Sequence, residues 1–366
     1  MSITIQLHKE ENGVNKANFD YEIELFTGKN KPKLNQEFEY LFWWTDAKKG
    51  LLSTVIHYER EYLDYIEGLV HEEVGQTTKP AEKNWWGRLS NPKQEKLLNS
   101  KITSSQFAIE NNLAHPKTKI VTDVSEMNFA ESKQYVLKNP YLMSGKGFMR
   151  FLGSEFQSTA KAWAEKQLKQ NPLIFEPWLK KRHDFSTYIF LQEEKMESYF
   201  NLSNDQGNYK GTVVYSDPNS VFEDLEERGV NLDYYFQSLN LIREHYTQLG
   251  ANLGMSVDSF TYEENEVLKT YYLSEVNYRK TMGLIALKLK KFLAANGVGQ
   301  LLMVTKKDDC HFNHFTDYKA HFDGHLYDEK SKKGIILLSP PNQQFSTFFL
   351  AAHNKEELDN YLFLIN

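Results

Sequence analysis

The chain has 366 residues, more than one hydrophobic core organises, so two or three domains are expected. Its 43 Lys and Arg against 49 Asp and Glu leave a net charge of −6 with no basic stripe, which sets aside a protein that lives on nucleic acid. Hydrophobic residues at 40% and charged residues at 25% set aside long disorder, and the 24 Phe, 21 Tyr and 6 Trp suit a well-filled interior or a deep pocket. A single cysteine, Cys310, precludes an intramolecular disulfide and fits a reducing compartment. The first residues, MSITIQLHKEENG, carry charge where a secretory signal needs an apolar run. The most apolar segment, MGLIALKLKKFLAANGVG, is broken by Lys288, Lys290 and Lys291. A cytoplasmic protein is the expectation.

Residues 1–98 alternate strand-like and helical pieces, the former including EFEYLFWW and the latter HYEREYLDYIEGLV. Gly75 to Pro92 is a connector that packs one aromatic edge through Trp85 and Trp86. SKITSSQFAIENNLA predicts a helix burying Ile102, Phe107, Ile109 and Leu113, ending near Asn111 ahead of Pro116. YVLK at 135–138 is a short apolar strand, followed by the turn-rich NPYLMSGKG and the strand FMRFL. Ser154 and Gln157 form a capping-box pattern opening the helix EFQSTAKAWAEKQLKQ, and LIFEPWL follows as a buried strand. In NLDYYFQSLNLIREHYTQLG, Tyr235, Leu239, Ile242, Tyr246 and Leu249 recur at helical spacing until Gly250. GMSVDSF and TYYLSEVNYR are neighbouring strands, and Thr281 opens a further helix. From residue 297 a separate strand-and-loop block is expected, closing with the helix NKEELDNYLFLI. Alternating strands and helices predict an α/β fold with α+β lobes.

Three features carry chemistry. In SEVNYRK, strand alternation projects Glu275 and Asn277 to one face about 6.6 Å apart, with Arg279 after them. Carboxylate and amide oxygens are magnesium ligands, and Asp258 on the neighbouring strand offers a second carboxylate. The plainer alternative is a polar, exposed sheet face. Lys138 ends a strand before Ser144-Gly145-Lys146-Gly147, where glycine lets backbone N–H groups approach phosphate oxygens and lysine supplies a point charge. The spacing is not that of a P-loop, and an ordinary hairpin turn is the alternative. Finally, LIFEPWL leads into Glu176-Pro177-Trp178-Leu179, a pattern suited to gripping a flat heterocycle or to simple termination of a core strand.

The order of these features changes their weight. From Asn99 to Gly283 the chain resembles the ATP-grasp family on NSKITSSQFAIENNLAHPKT, YVLKNPYLMSGKG, LIFEPWL, SVDSF and SEVNYR. That resemblance implies an N-terminal domain at 1–98, an ATP-grasp domain at 99–296 with a lid lobe at about 115–176, and a C-terminal extension at 297–366. It implies Lys101 and Lys138 on ATP phosphates, with Ser144, Gly145, Lys146 and Gly147 closing over them. It implies Glu176, Trp178 and Leu179 at adenine, and Asp184 at the ribose with His183 as competitor. Asp258, Glu275 and Asn277 would hold two magnesium ions, for which manganese can substitute, and Arg279 would be the catalytic cation that steadies a carboxylate or acyl phosphate. Ser256 stands where D-alanine ligases of this family carry arginine, so that narrower activity is not implied.

The implied activity is an ATP- and Mg-dependent, ADP-forming ligase that activates a carboxylate and joins it to a nucleophile, an amine being expected. The implied partners are small molecules, an amino acid or peptide among them, with no nucleic acid and no membrane; the oligomeric state is open, a homodimer included. A phosphotransferase acting on a hydroxyl and a non-catalytic nucleotide-binding protein are the rivals. Cys310, His311, His314, His321 and His325 lie close in sequence, but their spacing fits no zinc finger and a solvated loop is expected.

Overall fold

The computed structural model describes residues 13–141, 147–204, 208–305, 312–341 and 343–365. Helix and strand are mixed throughout, which is the α/β class read from the sequence. Strands Gly13–Asn15 (β1), Gly50–Ser53 (β2) and Gln76–Thr77 (β3) pair in parallel in the first block. Lys119–Val121 (β4), Gln134–Lys138 (β5), Phe148–Leu152 (β6) and Leu173–Pro177 (β7) form an antiparallel sheet in the order β4-β7-β5-β6. The third sheet contains Lys180–Phe190 (β8), Lys195–Ser203 (β9), Tyr209–Tyr215 (β10), Met255–Glu264 (β11) and Val267–Asn277 (β12). Val298–Thr305 (β13), Gly334–Leu337 (β14) and Phe345–Ala352 (β15) complete it, in the antiparallel order β12-β11-β8-β9-β10-β13-β15-β14.

Alternation along the strands gives the large sheet two different faces. Phe185 and Ile189 of β8, with Met255 and Val257 of β11, pack against the helices Pro218–Glu227 and Leu232–Gln248. The longer helix begins where the Asn231 side chain accepts from Tyr234 N at 2.9 Å, and it ends before Gly250 at φ +92°. It buries Tyr235, Leu239, Ile242 and Tyr246 as read from the spacing, each stabilising by about 1.5–3 kcal/mol. The opposite face carries Ser186, Ser256 and Asp258, and polar side chains there line a cavity.

Three expectations are corrected. EFEYLFWW is helical, split between Pro32–Phe38 and Leu41–Asp46. Tyr40 through Trp44 are all fully buried, and a short apolar run buried on every side has no period that separates strand from helix. The Ser154–Gln157 capping box does not form; the chain passes through Gly153–Glu155 and Phe156–Ala160 before the α-helix Lys161–Leu168. There Ser158 Oγ and Thr159 Oγ1 donate to the Glu155 carbonyl at 3.1 and 2.8 Å, tying down the turn the box would have capped. The block after residue 297 is not separate, because β13, β14 and β15 continue the central sheet. Its core also merges with that of the first block: Tyr40 donates to Thr347 at 2.8 Å, and Trp44 Nε1 to the Leu338 carbonyl at 2.9 Å. Among the described residues no helix is long and apolar enough to cross a membrane.

Candidate functional site

Antiparallel pairing of β11 with β12 sets Asp258 opposite Glu275 and Ser256 opposite Asn277. Two carboxylates directly across a strand pair repel, and burial adds to the cost of ionising them. Burial, then the Glu275 charge, pushes the Asp258 carboxyl up to about 6 despite its hydrogen bonds. Those bonds are from Ser186 Oγ and Ser256 Oγ to Oδ1 at 2.7 and 3.3 Å and from Asn277 Nδ2 to Oδ2 at 2.8 Å. Lys101 partly compensates, its Nζ lying 3.2 Å from Glu275 Oε1. It is the first residue of the helix Lys101–Glu110, fixed there by Ser100, whose Oγ accepts from Ile102 N at 3.2 Å, and by its own N–H to the Pro140 carbonyl at 3.2 Å.

Arg279 lies just past the end of β12. Its Nη2 donates to Asn277 Oδ1 at 2.9 Å and is 2.8 Å from Glu22 Oε2, while Nη1 donates to the Lys280 carbonyl at 3.0 Å. The guanidinium is therefore already charge-matched by the first block, and only Nε is left without a partner. Asn277 bridges the two charged groups, with its amide nitrogen toward Asp258 and its oxygen toward Arg279. Lys101, Asp258, Glu275, Asn277 and Arg279 line one cavity of about 980 Å³, together with Ser186, Asn201 and Lys210.

The other lysine expected at phosphate, Lys138, lies on the small sheet. Lys138 ends β5 and forms an ion pair with Glu176 of β7, its diagonal neighbour across the strand pair. Tyr271 of β12 donates its hydroxyl to Glu176 Oε2 at 3.0 Å, linking the small sheet to the large one. Leu179 packs against Phe260, Tyr262 and Tyr271. Trp178 is 41% exposed, with the Arg150 guanidinium 4.5 Å from its ring centroid. Gly147 has φ +78°, a left-handed conformation that favours glycine, and its carbonyl accepts from Asn139 N at 2.8 Å. Ser144, Gly145 and Lys146 lie outside the described residues.

Asp184 and His183, the two ribose candidates, belong to opposite faces of β8 by alternation. His183 goes with Phe185 and meets Arg228 Nη1 through Nδ1 at 2.7 Å; burial and then that cation hold it below its ordinary pKa. Asp184 goes with Ser186, and Lys181 Nζ lies 2.7 Å from its Oδ1. The face shared with Ser186 and Asp258 thus includes Asp184 and leaves out His183. Cys310 and His311 are outside the described residues, and no group of three or more His, Cys, Asp and Glu poised to hold a metal occurs among the described ones.

Sequence reasoning did not find Glu22, Ser186, Lys210 or Tyr271. Glu22 and Tyr271 touch the site through partners 257 and 95 residues away in the chain, which no local pattern encodes. Ser186 was within reach: it shares a strand with Asp184 and stands opposite Asp258 in the register.

No family model and no curated protein matches the chain. Among solved structures it is similar to N5-carboxyaminoimidazole synthetase from Staphylococcus aureus complexed with ADP, at 12% identity over 96% of this chain and 89% of that one, with a TM-score of 0.45. It is similar to carboxyaminoimidazole ribonucleotide synthase from Aspergillus clavatus complexed with ATP, at 12% identity, 96% and 90% coverage and a TM-score of 0.47. It is also similar to L-amino acid ligase from Bacillus licheniformis, at 8% identity, 96% coverage of each chain and a TM-score of 0.48. Likeness at this level bears on neither the activity nor the substrate of this chain.

Proposed function

We propose that this chain is an ATP- and magnesium-dependent ligase of the ATP-grasp type, which activates a carboxylate as an acyl phosphate and passes the acyl group to an amine, releasing ADP. The observation that carries the reading is the strand pair that sets Asp258 against Glu275, with Lys101 on Glu275 and Asn277 beside them in the cavity. Two facing carboxylates with too little compensating charge, one of them pushed up to about 6, fit a hard divalent cation. Asp258 and Glu275 would hold it, with the Asn277 oxygen joining once its amide turns over and phosphate oxygens completing the shell. When bound, magnesium neutralises developing charge on the transferred phosphoryl group.

The remaining work is positioning. Lys101 and Lys138 hold phosphate oxygens once ATP displaces their carboxylate partners. The segment Glu176 to Leu179 grips the adenine, Leu179 from the apolar side and Trp178 from its rim, while Asp184 takes the ribose. A carboxylate oxygen attacks the γ-phosphorus and the bond to the bridging oxygen breaks, releasing ADP. The amine nitrogen then attacks the acyl carbon, orthophosphate leaves with the bonding electrons, and the amine proton passes to solvent. Arg279, already held by Glu22 and Asn277, acts chiefly by fixing Asn277 and lending positive potential to this end of the cavity.

Pools of carboxylic acids incubated with ATP, magnesium and hydroxylamine test the reading. ADP, orthophosphate and a hydroxamate are expected, without AMP or pyrophosphate. A stable phosphorylated alcohol would identify a phosphotransferase instead, and no nucleotide consumption with any pool would leave a binding protein.

A further inference from the structure

The cavity that holds the carboxylates has a second character. Part of its lining is Phe19, Leu34, Phe38 and Trp86 from the first block, with Met303 and Phe345 from the last. The rings form one continuous surface: Phe19 lies 4.1 Å from Trp86 and 5.4 Å from Phe38 between centroids, and Phe38 stacks on Phe345 at 5.9 Å and 22°. Phe19 and Trp86 are buried, whereas Leu34, Phe38, Met303 and Phe345 are only partly covered and present apolar surface to the cavity. This surface adjoins the reacting end, since the Trp86 carbonyl accepts from Lys280 N at 2.9 Å, one residue beyond Arg279. Apart from Asp258 and Glu275, no carboxylate among the described residues lines the cavity, so a cationic side chain placed there would find no counter-charge.

We propose that this apolar arm selects the acid substrate, which is a carboxylic acid bearing an uncharged aromatic or branched aliphatic group. The assignment rests on the ligase reading above. The carboxylate of such an acid faces the Asp258–Glu275 end, and its apolar group lies among Leu34, Phe38, Met303 and Phe345. Removing that group from water is the favourable term, and each methylene lost from it weakens selection about 10-fold or more. Both walls of the arm come from outside residues 99–283, the stretch on which the ATP-grasp resemblance rests, so substrate choice and nucleotide handling are encoded in different parts of the chain.

Hydroxamate formation by the full chain, with ATP, magnesium and hydroxylamine, tests this across four matched sets: phenyl-bearing, branched aliphatic, dicarboxylic and ω-amino acids. The first two sets are expected to lead in kcat/KM by roughly 10- to 100-fold. Phe38→Ser is expected to raise KM for the best apolar acid about 10-fold, with KM for ATP as the internal reference. Leu34→Asp is expected to move the ranking toward ω-amino acids, a change that simple loss of fold cannot produce. Dicarboxylic or ω-amino acids used as well as apolar ones by the unmodified chain would overturn the assignment while leaving the ligase reading intact. An unchanged ranking in a folded Leu34→Asp protein would overturn it too. No ADP formation with any acid would overturn the ligase reading and this one with it.

Discussion

The Lys138–Glu176 corner and the Asp258–Glu275 strand pair both carry carboxylates, yet they are electrostatically unlike. Glu176 is buried but answered on both oxygens, by Lys138 on one and by the Tyr271 hydroxyl on the other. Asp258 and Glu275 face one another, Lys101 pairs with Glu275 alone, and Asp258 is pushed up to about 6 even with the Arg279 charge nearby. A compensated carboxylate is a structural group that a ligand can borrow from. An undercompensated pair holds stored repulsion that an added cation or a proton relieves. On the proposed reading, gripping falls to the first region and charge chemistry to the second.

The largest expected effect comes from removing charge at the undercompensated pair. Glu275→Gln should lower ADP formation on the order of 10³-fold while the melting temperature stays within a few degrees. Near-normal turnover by the folded variant would end the cation assignment. Next in size, Lys138→Ala should weaken nucleotide binding roughly 10- to 100-fold in calorimetric titration and also destabilise the fold, because Glu176 is left buried without its cation. Unchanged affinity with lower stability would make the lysine purely structural.

The pair also has a signature without any ligand. Folding raises the Asp258 pKa from 3.8 to about 6, so ionising this group works against the fold. The penalty is absent below about pH 4, grows as pH rises, and is complete above about pH 6, reaching at most about 3 kcal/mol. Asp258→Asn should therefore stabilise the cation-free protein by about 1–3 kcal/mol at pH 8 and by little at pH 4, measured by urea unfolding. A loss of stability at pH 8 would contradict the contrast drawn between the two regions. The smallest effect is expected at Tyr271→Phe, which removes one hydrogen bond to Glu176 and should cost about 1 kcal/mol with a few-fold change in nucleotide affinity.

Much of this site was legible because it lies on strands, where alternation alone projects Glu275 and Asn277 together and register does the rest. The helix at 232–248 was equally legible, since a one-sided stripe repeats at helical spacing over its whole length. The failures have physical causes. Tyr40 to Trp44 are buried on all sides, so their run carries no period. The partner of Arg279 was not legible because Glu22 lies far away in the chain. The continuation of the central sheet by β13, β14 and β15 rests on pairings formed late in the sequence, which a local reading takes for a block of their own.

Those late pairings bear on how the chain becomes a protein. Tyr40 waits for Thr347, and Trp44 and Tyr62 for the Leu338 carbonyl, over separations of 276 to 307 residues. The aromatic core of the first block therefore stays open until residues 338–347 have been synthesised. High contact order of this kind slows folding and leaves apolar surface exposed meanwhile. Nascent chains lacking the last strands should be the aggregation-prone species, and chaperone dependence should end when β15 and β14 dock.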